Sequence, residues 1–226
     1  MIDLNDYPGW KEWKRRQIAN TLSFNDEFSR TEKLGDFIFP ENINKEHAVV
    51  LQYLGLVESI DLLKECEYYF RRYPFRGLPV SFHSHITNVC EMYFNRFYEF
   101  RERTKSYFKA VEAATPNVSV KAGAFIKAFD KEFDQELRAR HRINHHRRFE
   151  DVSIDNVFLT GLLTKRLEGK GLRHEHLAAY RKASREWAKR VRQRVSKMDE
   201  ILEAIAAVTL VNCSFLSAKL PLPLAD

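Results

Sequence analysis

Glycine, proline and cysteine are all scarce in this chain of 226 residues, with 8, 7 and 3 copies. A sheet-rich fold with many turns would need more of this punctuation, and few of these Gly and Pro residues fall within the long periodic segments. Cys66, Cys90 and Cys213 are an odd, widely spaced set. They build neither a disulfide framework nor a zinc knuckle, and are expected to be reduced core thiols. Long apolar runs are missing too. The longest candidate, IAAVTLV at 205–211, is far short of the roughly 18 residues that mark a membrane span. The opening MIDLNDYPGWKEWKRR lacks the apolar stretch of a signal peptide. The expectation is a soluble, cytoplasmic protein with no membrane partner. Neither sign of charge dominates: Lys plus Arg is 37, Asp plus Glu is 31, and the formal charge is +6. Such a mild basic excess favours polyanions without selecting one.

Aromatic residues are plentiful, with 17 Phe, 9 Tyr and 3 Trp in a chain that is 44% hydrophobic. That suffices for a substantial core and excludes disorder. Residues 1–40 read as an N-terminal arm or cap, with one short helix at 10–22 and an irregular stretch up to Pro40. Residues 41–220 read as a single helical-bundle domain. Within it, Val49, Tyr53, Leu56, Ile60 and Leu63 recur at helical spacing and predict a helix over 44–72. Pro74, Gly77 and Pro79 then mark a turn, with Ser81 as a candidate N-cap. Phe82, Ile86, Val89, Tyr93, Phe97, Phe100, Thr104, Tyr107 and Val111 predict a helix over 82–114, its stripe widened by Phe94, Tyr98 and Phe108. Such a stripe reads as core rather than as a cofactor box. Ile126, Phe129, Phe133 and Leu137 predict a helix over 120–147, and the same phase continues to Arg140 and Asn144. Polar groups then point where the core face would be, and burial there requires partners. A helix from Ser153 or Asp155 towards Leu167 follows, and then a long charged helix over 173–210. The fold class is all-α: an antiparallel bundle of long amphipathic helices.

The chemistry-bearing stretch is ELRARHRINHHRRFED at 136–151, with five Arg and three His between Arg138 and Arg148. Arg offers planar, multidentate donors to phosphate, and His exchanges a proton near neutrality. Together they can hold a phosphodiester, take a proton from a ribose 2′-hydroxyl and return one to the leaving 5′-oxygen. That scheme needs no metal, and no cofactor is expected. Upstream, Glu132, Asp134 and Glu136 can neutralise part of the patch. On one continuous helix, His145 lies about 140° around from Arg140. A single phosphate then reaches both only between the faces, or where the helix bends. Two copies meeting across a symmetric dimer build a composite cleft more easily. His141 and His145 are spaced to grip a zinc ion, and His83/His85 and His174/His176 are additional pairs, but the Glu of H-E-x-x-H is missing and Arg140 and Arg142 repel a divalent cation. No metal site is expected. Gly-rich phosphate loops, serine elbows and dinucleotide fingerprints are also missing.

Arg140-His141-Arg142-Ile143-Asn144-His145 resembles the R-x4-6-H motif of HEPN domains. The resemblance is strongest over 80–150. It implies a helical bundle, often dimeric, in a family with many metal-independent ribonucleases of toxin–antitoxin, phage-defence or RNA-processing systems. By resemblance, Arg140 and His145 match the motif Arg and His, and His141 matches the polar position after the Arg. These three are the candidate catalytic residues. Arg138, Arg142, Asn144, His146, Arg147 and Arg148 are candidate RNA contacts. Expected partners are RNA, a second copy of the chain and an antitoxin or regulatory protein. Arg76 and His83 also satisfy R-x6-H, but across a Pro/Gly turn. Two other readings stay open: a non-catalytic HEPN-like module binding RNA, a nucleotide or a protein, and a structural helical interaction protein.

Overall fold

The aromatic stripe over 82–114 forms the helix that its spacing predicts. In a computed structural model, the described residues are 41–117, 120–145, 149, 151–167 and 172–217, with the backbone alone at 41–43, 144–145 and 216–217. The arm or cap expected at 1–40 lies outside them. The elements in order are α1 (Glu41–Arg71), α2 (Phe82–Ala114), α3 (Ala122–Glu132), α4 (Asp134–His145), α5 (Val152–Arg166), α6 (Arg173–Asn212) and a short α7 (Ser214–Ser217). No strand occurs among the described residues, and the fold is an all-α helical bundle.

The described chain groups into two compact units. One takes the described residues within 1–53, 106–120 and 205–226, and the other those within 54–105 and 121–204. In the smaller unit, Val49, Val50, Tyr107, Val111, Ile205 and Cys213 are buried. The Tyr107 and Thr209 hydroxyls hydrogen-bond each other, and Thr209 also donates to the Ile205 carbonyl at 2.6 Å. On α6, Val208 is 49% exposed and its neighbour Thr209 is buried. The step of four from Ile205 keeps pace with a period of 3.6 where a step of three falls behind.

In the larger unit, α1 and α2 run antiparallel. His85 Nε2 sits 3.0 Å from the Tyr69 carbonyl at one end, and Arg103 donates to the Gly55 carbonyl at 3.1 Å further along. Ser81 caps α2, its hydroxyl accepting from the Ser84 amide at 3.0 Å. Along α2, Ile86, Val89, Tyr93, Phe97 and Phe100 are buried, while Tyr98 faces outward at 37% exposure. Buried Thr104 donates its hydroxyl to the Phe100 carbonyl at 2.8 Å, so its polar group is satisfied on the core stripe. Helix α6 runs antiparallel to α1: Phe70 stacks on Trp187 at 5.6 Å, and Lys64 meets Asp199 at 3.4 Å. Cys66 and Cys90 in this unit, and Cys213 in the other, are buried free thiols. Burial pushes the Cys66 thiol up to about 12 and the Cys213 thiol to about 11, so neither supplies a thiolate near neutrality.

The one continuous helix expected over 120–147 is instead two. Phe133 leaves the helical conformation at φ −110° and ψ 26°, although its amide still reaches the Phe129 carbonyl at 3.0 Å. The break turns the later residues. After Phe129 and Phe133, the buried positions are Glu136 and Ala139, while Leu137 is half-buried. A polar group does enter the core phase, and it is Glu136 rather than Arg140.

Candidate functional site: a basic groove on helix α4

Helix α4 carries acidic residues in its first turn and cations towards its end. Asp134 and Glu136 near the N-terminus and the later Arg residues both suit the helix dipole. Glu136 fixes the helix. Its side chain is fully buried, and its carboxylate accepts from Arg194 Nε at 3.0 Å and Nη2 at 3.2 Å, from Arg190 Nη2 at 3.1 Å and from the Tyr93 hydroxyl at 3.3 Å. Both arginines also face aromatic rings: Arg190 lies 4.9 Å from Trp187, and Arg194 lies 5.5 Å from Phe133. A buried carboxylate is tolerated only when it is paired and hydrogen-bonded, and here two guanidinium groups and a phenol meet that need. Burial, then the neighbouring Glu136 charge, push the Tyr93 phenol well above its ordinary range, so it stays a donor.

Outside this anchor lies an open groove of about 740 Å³. Arg138, Arg140, His141 and Arg142 of α4 line it, with Tyr98 and Arg101 of α2 and the carboxylates Asp130 and Asp134. Arg140 is half-buried, with its guanidinium 3.8 Å from the Tyr98 ring centre and its Nε donating to Asn95 Oδ1 at 3.4 Å. Stacking on the Tyr98 ring fixes the plane in which the Arg140 guanidinium lies against the groove. Arg138 is 76% exposed and pairs with Asp134 at 2.7 Å. Arg101 forks onto Asp130 through bonds of 2.6 and 2.8 Å. His141 and Arg142 are exposed.

Four of the candidate residues, Arg138, Arg140, His141 and Arg142, thus share one groove. Asn144 and His145 are the last two residues of α4, with their side chains outside the described residues, and His146, Arg147 and Arg148 lie outside them altogether. The backbone is helical from Asp134 to His145, so the bend at Phe133 falls before the motif rather than inside it. Arg140 and His145 therefore keep the helical separation of about 140°. Arg76 and His83, the other pair at the motif spacing, line a different cavity. Among the described residues, no three His, Cys, Asp or Glu cluster as a metal site.

Sequence reasoning missed the anchor. Glu136 is a buried partner of Arg190 and Arg194, not a neutraliser of the exposed patch. A signal was present: Arg190 and Arg194 are four apart and flank Val191 in the apolar stripe of α6. Charges so close to a core face need a carboxylate opposite. The roles of Tyr98 and Asn95 depend on the α2–α4 contact and had no local signal.

Compared with family models, curated proteins and solved structures, the chain matches none. Fold and site together define an all-helical protein with an open, mainly basic groove. No helix among the described residues is long and apolar enough to cross a membrane.

Proposed function

We propose that this chain is a metal-independent endoribonuclease acting at the end of α4. The observation that supports the reading is the gathering of Arg138, Arg140, His141 and Arg142 along one groove, with Arg140 braced by Tyr98 and Asn95. In this reading, Arg140 holds the non-bridging phosphate oxygens and offsets the charge that builds on them. His145 takes the proton from the 2′-hydroxyl. The 2′-oxygen bonds to phosphorus, the bond to the 5′-oxygen breaks, and a histidine, His145 or its copy in a second chain, protonates that oxygen. His141 orients the phosphate. Arg142, Asn144, His146, Arg147 and Arg148 hold the flanking backbone. The products are a 2′,3′-cyclic phosphate and a 5′-hydroxyl. A homodimer that joins two copies of 138–148, cytoplasmic action and control by an antitoxin or regulatory protein in a toxin or phage-defence system belong to the same proposal.

The test is product mapping on a 5′-labelled RNA pool in EDTA, with wild type beside His145→Ala. Cyclic-phosphate ends from wild type alone support the reading. Equal cleavage by both proteins removes His145 from the chemistry. A second reading, RNA binding without cleavage, is favoured by the engagement of Arg101 with Asp130 and of Arg138 with Asp134, which leaves fewer donors for a strained phosphate. Its signature is salt-sensitive RNA binding with no products.

A further inference from the structure

A second cavity, of about 1320 Å³, opens where the α1–α2 connection meets α5 and the start of α6. The connection turns at Gly77, whose φ of +79° suits glycine, and the Leu78 amide donates to the Phe75 carbonyl at 3.1 Å. Arg76 stands at the corner of that turn. Among the described residues, the cavity is lined by six cations, Arg71, Arg72, Arg76, Lys165, Arg173 and Arg181, and by no carboxylate. The α4 groove, by contrast, includes Asp130 and Asp134. Glu67 pairs with Arg71, but Arg76, Lys165, Arg173 and Arg181 form no ion pair with another described residue. Like charges gathered in one concavity repel each other, and an anion that enters relieves that repulsion.

Behind the cations stands an aromatic wall. Phe82 stacks on Tyr180 at 4.3 Å with 20° between planes, and Tyr73 meets Phe82 edge-on at 4.5 Å. Phe158 presents an open face from α5, at 43% exposure. His176 closes the wall, with Nδ1 3.1 Å from the Thr160 hydroxyl and its ring 5.3 Å from Phe82. Gly161 makes room for it, because a Cβ there would come within 3.0 Å of the imidazole. These contacts hold the wall in place without a ligand, which lowers the ordering cost of binding.

We propose that this cavity binds a nucleotide, with its phosphate on the cationic rim and its base on the aromatic wall. Guanidinium groups match phosphate oxygens, and every base has a face that stacks on aromatic rings. The volume exceeds the roughly 300–1,000 Å³ of ordinary small-molecule pockets, so a short stretch of RNA strand fits as well as a free nucleotide. The site is separate from the α4 groove and does not depend on cleavage there.

The experiment titrates the full chain with AMP, with inorganic phosphate and with a fluorescein-labelled single-stranded decanucleotide RNA. Lys165→Ala with Arg173→Ala removes two exposed cations and keeps the core intact, which circular dichroism verifies. We expect at least tenfold weaker nucleotide binding, and a log–log salt slope for the RNA that is shallower by about 1.4 if both residues contact phosphates. Phe158→Ala weakens AMP at least fivefold and leaves inorganic phosphate unchanged. Arg138→Ala with Arg142→Ala leaves AMP binding intact, which separates this site from the α4 groove. RNA binding that Lys165→Ala with Arg173→Ala weakens, without binding of AMP, assigns the site to a strand, and binding of AMP without such an effect on RNA assigns it to a free nucleotide. Failure of both probes to bind, insensitivity to the cavity substitutions, inorganic phosphate binding as tightly as AMP, or competition by poly-glutamate as strong as by RNA overturns the proposal.

Discussion

Replacing Glu136 with alanine removes a buried carboxylate that Arg190 and Arg194 both grip in the larger unit. Deleting one partner of a buried ion pair costs about 3–5 kcal/mol, because the remaining charge stays desolvated. Here the Arg190 and Arg194 side chains retain 35% and 23% exposure, and Arg194 keeps Glu132 at 3.3 Å. Water and Glu132 relieve part of that penalty, and we expect a loss of about 2–3 kcal/mol. With a urea m-value of about 2 kcal/mol/M, the unfolding midpoint falls by roughly 1–1.5 M. Glu136→Gln keeps the volume and some of the hydrogen bonds and loses the charge, so it should lie about halfway between. The assay is urea unfolding followed by circular dichroism, with the m-value checked for constancy. A loss below about 1 kcal/mol for Glu136→Ala refutes the view that this carboxylate anchors α4.

Three more outcomes follow from the geometry. Tyr98→Ala removes the ring beneath Arg140, a contact worth about 0.5–1 kcal/mol at an exposed site, so RNA affinity should fall about two- to fivefold while Tyr98→Phe keeps it; equal affinities in a filter-binding titration contradict this. Burial lowers the His47, His85 and His176 pKa values below the ordinary 6.5, so the unfolded chain takes up more protons than the folded one as pH falls through 6.5. Stability that is complete above that pH is then lost below it, and urea midpoints at pH 7.5 and 5.5 should differ in that direction. Asp151 caps α5 by accepting from the Ser153 amide at 2.9 Å and the Ile154 amide at 3.3 Å, so Asp151→Ala should cost about 1 kcal/mol in thermal unfolding and Asp151→Asn far less.

The helices over 82–114 and 173–210 were legible because their apolar spacing follows the helical period for many turns, and scarce Gly and Pro left little to interrupt them. The cap at Ser81 was legible for a similar reason, since a short hydroxyl before a periodic run satisfies free amides locally. The basic run over 138–148 was legible as composition, and four of its members do share a groove.

Residues that depend on distant partners were not legible. Phe133 reads as one more member of a stripe, and only its packing against Phe97 and Phe129, at 5.0 and 4.7 Å, accompanies a break that sequence periodicity did not mark. That break moves the buried phase from Leu137 to Glu136 and brings Arg190 and Arg194 from 54 and 58 residues away onto one carboxylate. The cavity on the α1–α2 turn has the same origin, because Arg76, Lys165 and Arg173 are unrelated along the chain. The all-helical class and the location of the basic run rest on local period and local composition, and both can be read along the chain. Which charges are buried, paired or gathered in a cavity emerges from the packing of distant helices, because desolvation and Coulomb energy depend on distances that local spacing does not encode.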